Sequence, residues 1–368
     1  MWGDLHYLKI PFKLTVREEE FMNREIVLNR VKKIIANKPF RKFKLTDALT
    51  SDKQAYIELC KFIFNRNTLW RDDYLKKLID SVDEDIFKDK DIVSQTYDIL
   101  GRSYAGISSL EKIYSVMSKE AGLALVKKQP LLIGKFNDEM KDDEDIARTA
   151  IVLNNGAFNY VSERLKDDFD LAKIVVRKDG YMLNNISTRL KDDRDMVRLA
   201  VSENPYAIQY ASDRLRDDSE MGRFVVSKKA SAFKYLSKRL RDDKDIALVA
   251  VEDTEAEAVA YASDRLKNDL DVGLVSVRAN GKTLQYLSME NRSNHRIVSE
   301  AIKQSPEYIE YASRRYIYSD KLLFKAVIEN NEVLEYIPEE MSKVMVDMLD
   351  KYNSANKISR NDDREIDY

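Results

Sequence analysis

Residues 211–218 read ASDRLRDD, and close copies recur as VSERLKDD from 161, ISTRLKDD from 186, LSKRLRDD from 236 and ASDRLKND from 262. The acid pair that ends each copy follows a period of 25 residues, and the series continues after one inserted residue. The first members of the pairs are Asp142, Asp167, Asp192, Asp217 and Asp242, followed by Asn268. A period this short predicts a stack of small units, because one unit alone cannot bury its apolar face.

Three further columns of residues follow the same period. The tyrosine column is Tyr160, Tyr210, Tyr235, Tyr261, Tyr286, Tyr311 and Tyr336, with Asn185 in one unit. The serine column is Ser162, Ser187, Ser212, Ser237, Ser263, Ser288 and Ser313. A β-branched aliphatic column is Ile151, Val176, Val201, Val226, Val251, Val277, Ile302 and Val327. The aliphatic column predicts the buried core that successive units share.

Each unit has the pattern of two short helices. Apolar residues fall at helical spacing from Met196 to Val201, and Asp193 before them has the side chain of an N-cap. Asn204 is a natural cap and Pro205 a natural first residue for a second helix. We therefore expect two helices of roughly two to three turns in each unit, which need neighbours because isolated helices this short are marginal in water.

The units predict an all-α protein, an α-solenoid of the right-handed type with about eight or nine two-helix repeats. The solenoid is expected over residues 116–350. Residues 1–115 are predicted to form an N-terminal helical domain or cap, since a repeat stack needs a terminal unit with a polar outer face. Helices are predicted in that part at about 15–36, 51–65, 70–80 and 91–99. Residues 351–368 are polar, which predicts a disordered tail.

The repeat residues resemble a known family. The runs AIQYASDRLRDDSEMGRFVV, AFKYLSKRLRDDKDIALVAV and AVAYASDRLKNDLDVGLVSV are similar to the short helical repeats called domain of unknown function 4116, found in bacteria, their phages and other viruses. The resemblance covers about residues 140–340. It implies a helical repeat array with no activity attached, and it offers no catalytic residues to transfer.

Composition narrows the class of protein. The 62 basic and 64 acidic residues leave a net charge of −2, so no overall field attracts nucleic acid or a membrane surface. The single cysteine, Cys60, is expected to be a core thiol in a reducing cytosol. No secretory signal pattern and no apolar run of about 18 residues is found. We expect a soluble, cytoplasmic protein without a membrane partner.

Signals for catalysis and metal binding are scarce. The two histidines, His6 and His295, are far apart in sequence, and the common phosphate-loop, zinc-protease, serine-hydrolase and Cys-x-x-Cys motifs are absent. The acid pairs recur at helix starts, so we interpret them as capping groups rather than Mg²⁺ ligands. We therefore predict no catalytic residue, no cofactor and no metal site.

The recurring pattern Tyr-x-Ser-x-Arg, for example Tyr210, Ser212 and Arg214, is interpreted as scaffold. The tyrosine ring is expected to be buried between stacked helices, with its hydroxyl at a polar partner. The arginine is expected to pair with an acid of its own or the adjacent unit. The alternative is a ladder of side chains that faces a ligand.

Binding is expected where the repeat loses its pattern, at about 286–318. Arginine and aromatic side chains gather there, and these are the usual anchors of protein interfaces. The candidate binding residues are Arg292, His295, Arg314, Arg315, Tyr316 and Tyr318. The alternative is decay of the repeat toward a C-terminal cap.

A second candidate site is a basic segment near the N-terminus. Its residues are Arg30, Lys32, Lys33, Lys38, Arg41, Lys42 and Lys44, with no acid between Ile26 and Thr46. Residues 1–80 contain 17 basic and 11 acidic side chains, which leaves 45 basic and 53 acidic ones in the rest of the chain. A basic segment joined to an acidic repeat region could hold a phosphate backbone or an acidic protein. The alternative is a solvated helix face and loop.

These observations favour a non-enzymatic scaffold that binds a protein partner. The identity of the partner, the oligomeric state and the face of the solenoid that binds are open. The resemblance to phage repeats adds a special case, an inhibitor that sequesters or blocks a host protein. Two alternatives remain: a nucleic-acid-binding repeat protein that uses residues 30–44, and an enzyme with an unrecognised N-terminal site.

Overall fold

The computed structural model describes residues 25–33, 36, 47–65, 71–100, 110–252 and 258–365. Every regular element in these ranges is helical, and they contain no strand. The chain divides into two compact units, Met1–Ile174 and Val175–Tyr368. None of the helices in these ranges combines the length and the apolar character that a bilayer span requires.

The part of the first unit that precedes the repeats consists of short helices around an apolar core. Residues 25–33 are helical, and they are followed by helices Asp47–Thr50, Lys53–Phe64, Arg71–Ser81, Lys90–Leu100 and Glu111–Val116 and by the 3-10 helix Glu84–Lys88. The helices predicted at 51–65, 70–80 and 91–99 are thereby confirmed. The one predicted at 15–36 is helical over 25–33 and otherwise lies mostly outside the described residues.

Cys60 belongs to this core. The thiol is fully buried beside Tyr56, whose ring meets Phe87 edge to face with centroids 5.6 Å apart. Burial raises the pKa of the Cys60 thiol to about 12, so the sulfur stays protonated and unreactive. The prediction of a core thiol is confirmed.

Each repeat begins with an α-helix, which we call its A helix. The A helices are Lys119–Lys128, Glu144–Leu153, Phe169–Lys178, Arg194–Glu203, Ser219–Lys228, Lys244–Val251, Leu270–Ala279, His295–Ile302 and Asp320–Glu329. Asp193 caps Arg194–Glu203 as predicted, because its Oδ1 accepts the backbone N–H of Met196 at 2.8 Å. The first of these helices begins at Lys119, which is one repeat earlier than the first acid pair, Asp142 and Asp143, indicates.

The second half of the repeat differs from the prediction of one further helix. It consists of a 3-10 helix, an extended residue and a short helix of about one turn. The 3-10 helices are Pro130–Lys135, Asn155–Tyr160, Gly180–Asn184, Pro205–Tyr210, Ala230–Tyr235, Ala258–Tyr261, Gly281–Tyr286, Pro306–Tyr311 and Asn331–Glu335. The short helices are Asp138–Lys141, Glu163–Lys166, Thr188–Lys191, Asp213–Arg216, Leu240–Asp242, Asp264–Lys267, Asn291–Ser293 and Arg314–Ile317.

The break between the two segments has a local cause. Asn204 and Pro205 start the 3-10 helix at the predicted residues, with Asn204 Oδ1 accepting the N–H of Tyr206 at 3.0 Å. Ala211 then takes an extended conformation, and Ser212 caps a separate helix. The second helix therefore cannot run continuously through the serine column.

The core lies between the repeats. Every residue of the aliphatic column is buried, as predicted. Within residues 175–368 the A helices pack side by side in chain order, and so do the 3-10 helices. Gly222 shows how closely they approach, since a Cβ there would lie 2.8 Å from Leu240 Cδ1 and 3.2 Å from Ile246 Cδ1. A larger residue at Gly222 would therefore force the side chains of Leu240 and Ile246 to move.

The C-terminal end also differs from its prediction. One helix, Glu339–Glu365, continues through the stretch that was expected to be a disordered tail from residue 351. No glycine or proline interrupts this sequence, so the backbone can extend the helix that Met341 and Met345 anchor in the core. The predicted boundary at residue 115 differs from the division after Ile174 and stays a prediction.

Candidate functional site

A ladder of Asp, Ser and Arg side chains joins successive repeats. Ser212 Oγ accepts the backbone N–H of Leu215 at 3.2 Å and donates its proton to Asp192 of the preceding repeat. Arg214 Nε donates to the two Asp192 carboxylate oxygens at 3.0 and 3.2 Å, and Nη2 donates to the Asp192 carbonyl at 2.6 Å. The first acid of each pair therefore binds the next repeat, while the second acid caps the A helix.

The same arrangement recurs along the chain. Its other copies are Ser162 and Arg164 on Asp142, Ser237 and Arg239 on Asp217, and Ser263 and Arg265 on Asp242. In each copy the serine hydroxyl and the guanidinium hold the pKa of the aspartate carboxyl below its ordinary value. The predicted pairing of arginine with an acid of the adjacent unit is confirmed, and the ladder is structural.

The ladder loses its charges toward the C-terminus. Ser288 donates to Asn268 at 2.6 Å, and Ser293 and Ser313 bond to each other at 2.6 Å where the earlier repeats have Asp and Ser. Arg315 occupies the ladder position for arginine, but the residue at the ladder position of the aspartate is Ser293. In the described part of the chain Arg315 has no ion-pair partner, and its side chain is exposed.

Some of the candidate residues at 286–318 lie on the surface, and others are half-buried or buried. Arg314, Arg315 and Tyr318 are exposed, with Tyr318 at 53%. Arg292 is half-buried, and its carbonyl accepts the N–H of Ser313 at 2.9 Å. Tyr316 is fully buried, so its predicted role as a surface anchor is wrong. Its position after the exposed Arg315 places it on the inner face of the short helix.

His295 and Tyr316 do come together, but inside a polar cluster. His295 Nδ1 lies 2.8 Å from the Tyr316 hydroxyl, and His295 Nε2 lies 3.2 Å from Glu329 Oε1. Ser299 donates to the other Glu329 oxygen. Burial and the Glu329 charge raise the pKa of Tyr316, so the phenol stays protonated. The cluster holds three elements of the fold together and leaves no exposed nucleophile. Glu329 and Ser299 carry no sequence motif that predicts their part in it.

Tyrosines with exposed or half-buried rings recur along the second unit. Nine tyrosines lie on the 3-10 helices within the described part of residues 175–368 or directly after one of them, and we name this set the tyrosine face. Its members are Tyr181, Tyr206, Tyr210, Tyr235, Tyr261, Tyr286, Tyr308, Tyr311 and Tyr336. Edge-to-face pairs connect consecutive repeats, with centroids 6.2 Å apart for Tyr181 and Tyr210 and 6.2 Å for Tyr206 and Tyr235.

The prediction that the tyrosine column is buried between helices is wrong for Tyr261 and Tyr336, which are exposed, whereas Tyr210, Tyr235, Tyr286 and Tyr311 are half-buried. Tyr181 is 41% exposed, Tyr261 44% and Tyr336 36%. In the first unit Tyr160 is likewise 46% exposed, with its ring over Gly134. The apolar residues of the same 3-10 helices, such as Ile208 and Phe233, fill the core instead. The tyrosines are therefore on the outer side of the 3-10 helices.

A lysine lies over two rings of the tyrosine face. Lys234 Nζ is 4.9 Å from the centroid of the Tyr235 ring and 5.9 Å from that of Tyr261 in the next repeat. The two rings thus form a place that accepts an ammonium group.

The tyrosine face becomes acidic at its C-terminal end. Glu307 and Glu310 lie on Pro306–Tyr311, and Glu332 and Glu335 lie on Asn331–Glu335. All four side chains are exposed, and none has an ion-pair partner in the ranges that the structure describes. The acidic end is visible in the sequence, because the residue before the tyrosine is Lys234 in one repeat and Glu310 in a later one.

The basic segment is described only at its start. Arg30 and Lys33 are exposed on the helical residues 25–33. Lys32 is half-buried and lies 3.4 Å from Glu58 Oε2, which gives this part of the segment an internal acid partner. The remaining predicted residues, Lys38, Arg41, Lys42 and Lys44, lie outside the described residues.

No group of three or more His, Cys, Asp or Glu side chains suited to a metal ion occurs within the described ranges. The acid pairs of the repeats are instead divided between the ladder and the A-helix caps.

The family model described as Domain of unknown function (DUF4116) matches the chain over residues 143–191 and again over 168–216. Each match begins at the acid before an A helix and ends at the last residue of a short helix, so each spans two repeats. The resemblance is confirmed over these residues, and its extension to about 340 stays a prediction. No curated protein and no solved structure matches the chain at a significant level.

Proposed function

We propose that the protein is a non-enzymatic scaffold that binds a partner protein through the tyrosine face. The observation that carries the proposal is the recurrence of half-buried or exposed tyrosine rings at equivalent positions of successive repeats, with Tyr261 exposed at 44% and Tyr235 half-buried beside it. Tyrosine combines apolar contact area with a hydroxyl that can donate or accept, at a small entropic cost, which is why it is enriched in protein interfaces.

The proposal includes the arrangement of the repeats. About eight or nine of them stack as a right-handed α-solenoid, so that equivalent side chains line one extended surface. Contacts between consecutive 3-10 helices support this arrangement within residues 175–368. The scaffold acts in the cytoplasm, and its effect on the partner is to sequester or block it.

The 3-10 helices of the middle of the tyrosine face carry only two cations among the described residues, Lys234 and Lys282, which supports a protein partner over a nucleic acid. Asn184, Gln209 and Gln285 stand beside the tyrosines and can exchange hydrogen bonds with a peptide backbone. A surface for nucleic acid would instead need several cations aimed at phosphates.

The test uses the full chain as an immobilised bait in extract of the organism that encodes it. The unmutated chain should capture a defined protein, and Tyr235→Ala/Tyr261→Ala should lose it, because truncated interface anchors cost about 2 kcal/mol or more. Val249→Ala, at an exposed site on an A helix, is the control and should keep the partner. Equal capture by all three chains would overturn the proposal.

A second candidate function is nucleic-acid binding by the basic segment, favoured by the exposure of Arg30 and Lys33. Arg30→Glu/Lys33→Glu should then abolish oligonucleotide binding, whereas Lys127→Glu/Lys238→Glu, with the same change in net charge at other exposed sites, should not. Affinity of the unmutated chain should fall steeply with salt. Absence of any binding at low salt would eliminate this candidate.

A further inference from the structure

From the acidic end of the tyrosine face we infer the chemical class of the partner, and this inference rests on the proposed function. We propose that Glu310 and Glu335, with Tyr311 and Tyr336, bind lysine or arginine side chains of a segment of the partner protein. The partner's cation would take the place that Lys234 fills earlier in the same face.

Lys234 provides the internal precedent. It is the residue before the tyrosine of its 3-10 helix, and its ammonium lies over Tyr235 and over Tyr261 of the following repeat. The rings are presented by consecutive 3-10 helices that pack against each other. The fold of this repeat therefore brings two π faces within reach of one cation.

Two later repeats have a glutamate at the position equivalent to Lys234. Glu310 precedes Tyr311, and Glu335 precedes Tyr336 in the next repeat. The two 3-10 helices that bear them pack against each other, as those of Tyr235 and Tyr261 do. These repeats thus carry tyrosines at the same positions as Tyr235 and Tyr261, with a carboxylate before each, and no lysine or arginine of the described residues lies over their rings.

Two more carboxylates add negative charge to the acidic end of the tyrosine face. Glu307 and Glu332 stand on the same two 3-10 helices, which contain no lysine or arginine. Tyr308 stacks on Tyr311 with centroids 6.2 Å apart and an interplanar angle of 23°, which extends the aromatic surface. Charge complementarity therefore selects a cationic partner segment and rejects a phosphate backbone.

The experiment measures binding of a short fluorescein-labelled peptide of alternating lysine and serine to the full chain by fluorescence anisotropy. The unmutated chain should bind it, and added salt should weaken the binding. Glu310→Gln/Glu335→Gln should bind roughly tenfold more weakly, because two charge contacts to the cations are lost. Glu203→Gln/Glu290→Gln removes two exposed carboxylates elsewhere and should bind like the unmutated chain.

Three results would overturn the inference: no binding by the unmutated chain, equal binding of a glutamate and serine peptide, or equal loss in the control variant. Self-association of the chain that Glu310→Gln/Glu335→Gln abolishes would assign the surface to a second copy instead. If a partner is still captured through Tyr235 and Tyr261 while the lysine peptide fails to bind, this inference fails and the proposed function stands.

Discussion

Val201 illustrates how a single side chain is constrained by the repeat. It lies two residues before the end of its A helix, belongs to the aliphatic column and is fully buried. The adjacent Ser202 is exposed on the same helix. Two neighbouring residues thus have opposite environments, which makes them a matched pair for mutation.

Val201→Asp should destabilise the protein by about 3 kcal/mol or more, because it places a carboxylate without a partner in the core. Urea unfolding followed by circular dichroism measures the change. Ser202→Asp introduces the same residue on the exposed side and should cost less than about 1 kcal/mol, mostly from the helix dipole. Similar losses in the two variants would mean that the buried and exposed faces of the A helix are exchanged.

Asp217 gives the ladder a dependence on pH. Its pKa is lower in the folded protein than in the unfolded chain, first because Ser237 donates to it and second because Arg239 pairs with it. A carboxyl with a depressed folded pKa contributes stability above its unfolded pKa of about 3.9 and loses that contribution as the pH falls through the folded value.

We therefore expect acid to reduce the stability of the unmutated chain more than that of Asp217→Asn. Urea unfolding midpoints, measured from neutral pH to below about pH 4, should converge for the two chains. Glu203→Gln, which removes an exposed carboxylate outside the ladder, should stay close to the unmutated chain at neutral pH. A constant difference between Asp217→Asn and the unmutated chain at every pH would contradict the expectation.

The short helix of each repeat shows how an element depends on its neighbour. Ser237 Oγ accepts the N–H of Leu240 at 3.1 Å and donates to Asp217 of the preceding repeat. The Ser237 backbone N–H also donates to the Arg216 carbonyl at 3.0 Å. One serine thus caps the turn that leads into Leu240–Asp242 and fixes it against the previous short helix.

Ser237→Ala should destabilise the protein by about 1 kcal/mol or more, since it removes the side-chain acceptor for the Leu240 N–H and leaves Asp217 with one donor fewer. Ser227→Ala, at an exposed serine near the end of an A helix, should cost below about 0.5 kcal/mol.

A third variant separates the two roles of the serine. Ser237→Asp keeps a cap acceptor but sets a carboxylate against Asp217, so it should be no more stable than Ser237→Ala. Full recovery of stability in Ser237→Asp would show that capping alone matters. Thermal unfolding of all four chains at one pH makes the comparison.

At the scale of the whole molecule, the proposed solenoid predicts a particle shape. Stacked repeats that contact only their neighbours extend in one direction, so small-angle X-ray scattering of the full chain should give a maximum dimension well beyond that of a sphere of equal mass. Sedimentation velocity on the same sample controls for association. A monomer with the scattering of a compact sphere would contradict the solenoid.

The sequence by itself determined the features that depend on residues a few positions apart. The period of the acid pairs, the cap at Asp193, the start at Asn204 and Pro205 and the burial of Val201 follow from helical spacing and local hydrogen bonding. The caps lie within one repeat, and the period and the apolar spacing are read directly from the sequence, although the side chains that bury Val201 come partly from neighbouring repeats.

Only the tertiary structure decided which side chains meet across repeats and which remain in water. Asp192 binds Arg214 because stacking brings together residues 22 positions apart. Tyr316 is buried and Tyr261 exposed because burial depends on which side of an element the neighbouring repeat covers, and an aromatic ring suits either environment. The candidate site is therefore a property of the stack, and residue type alone could not locate it.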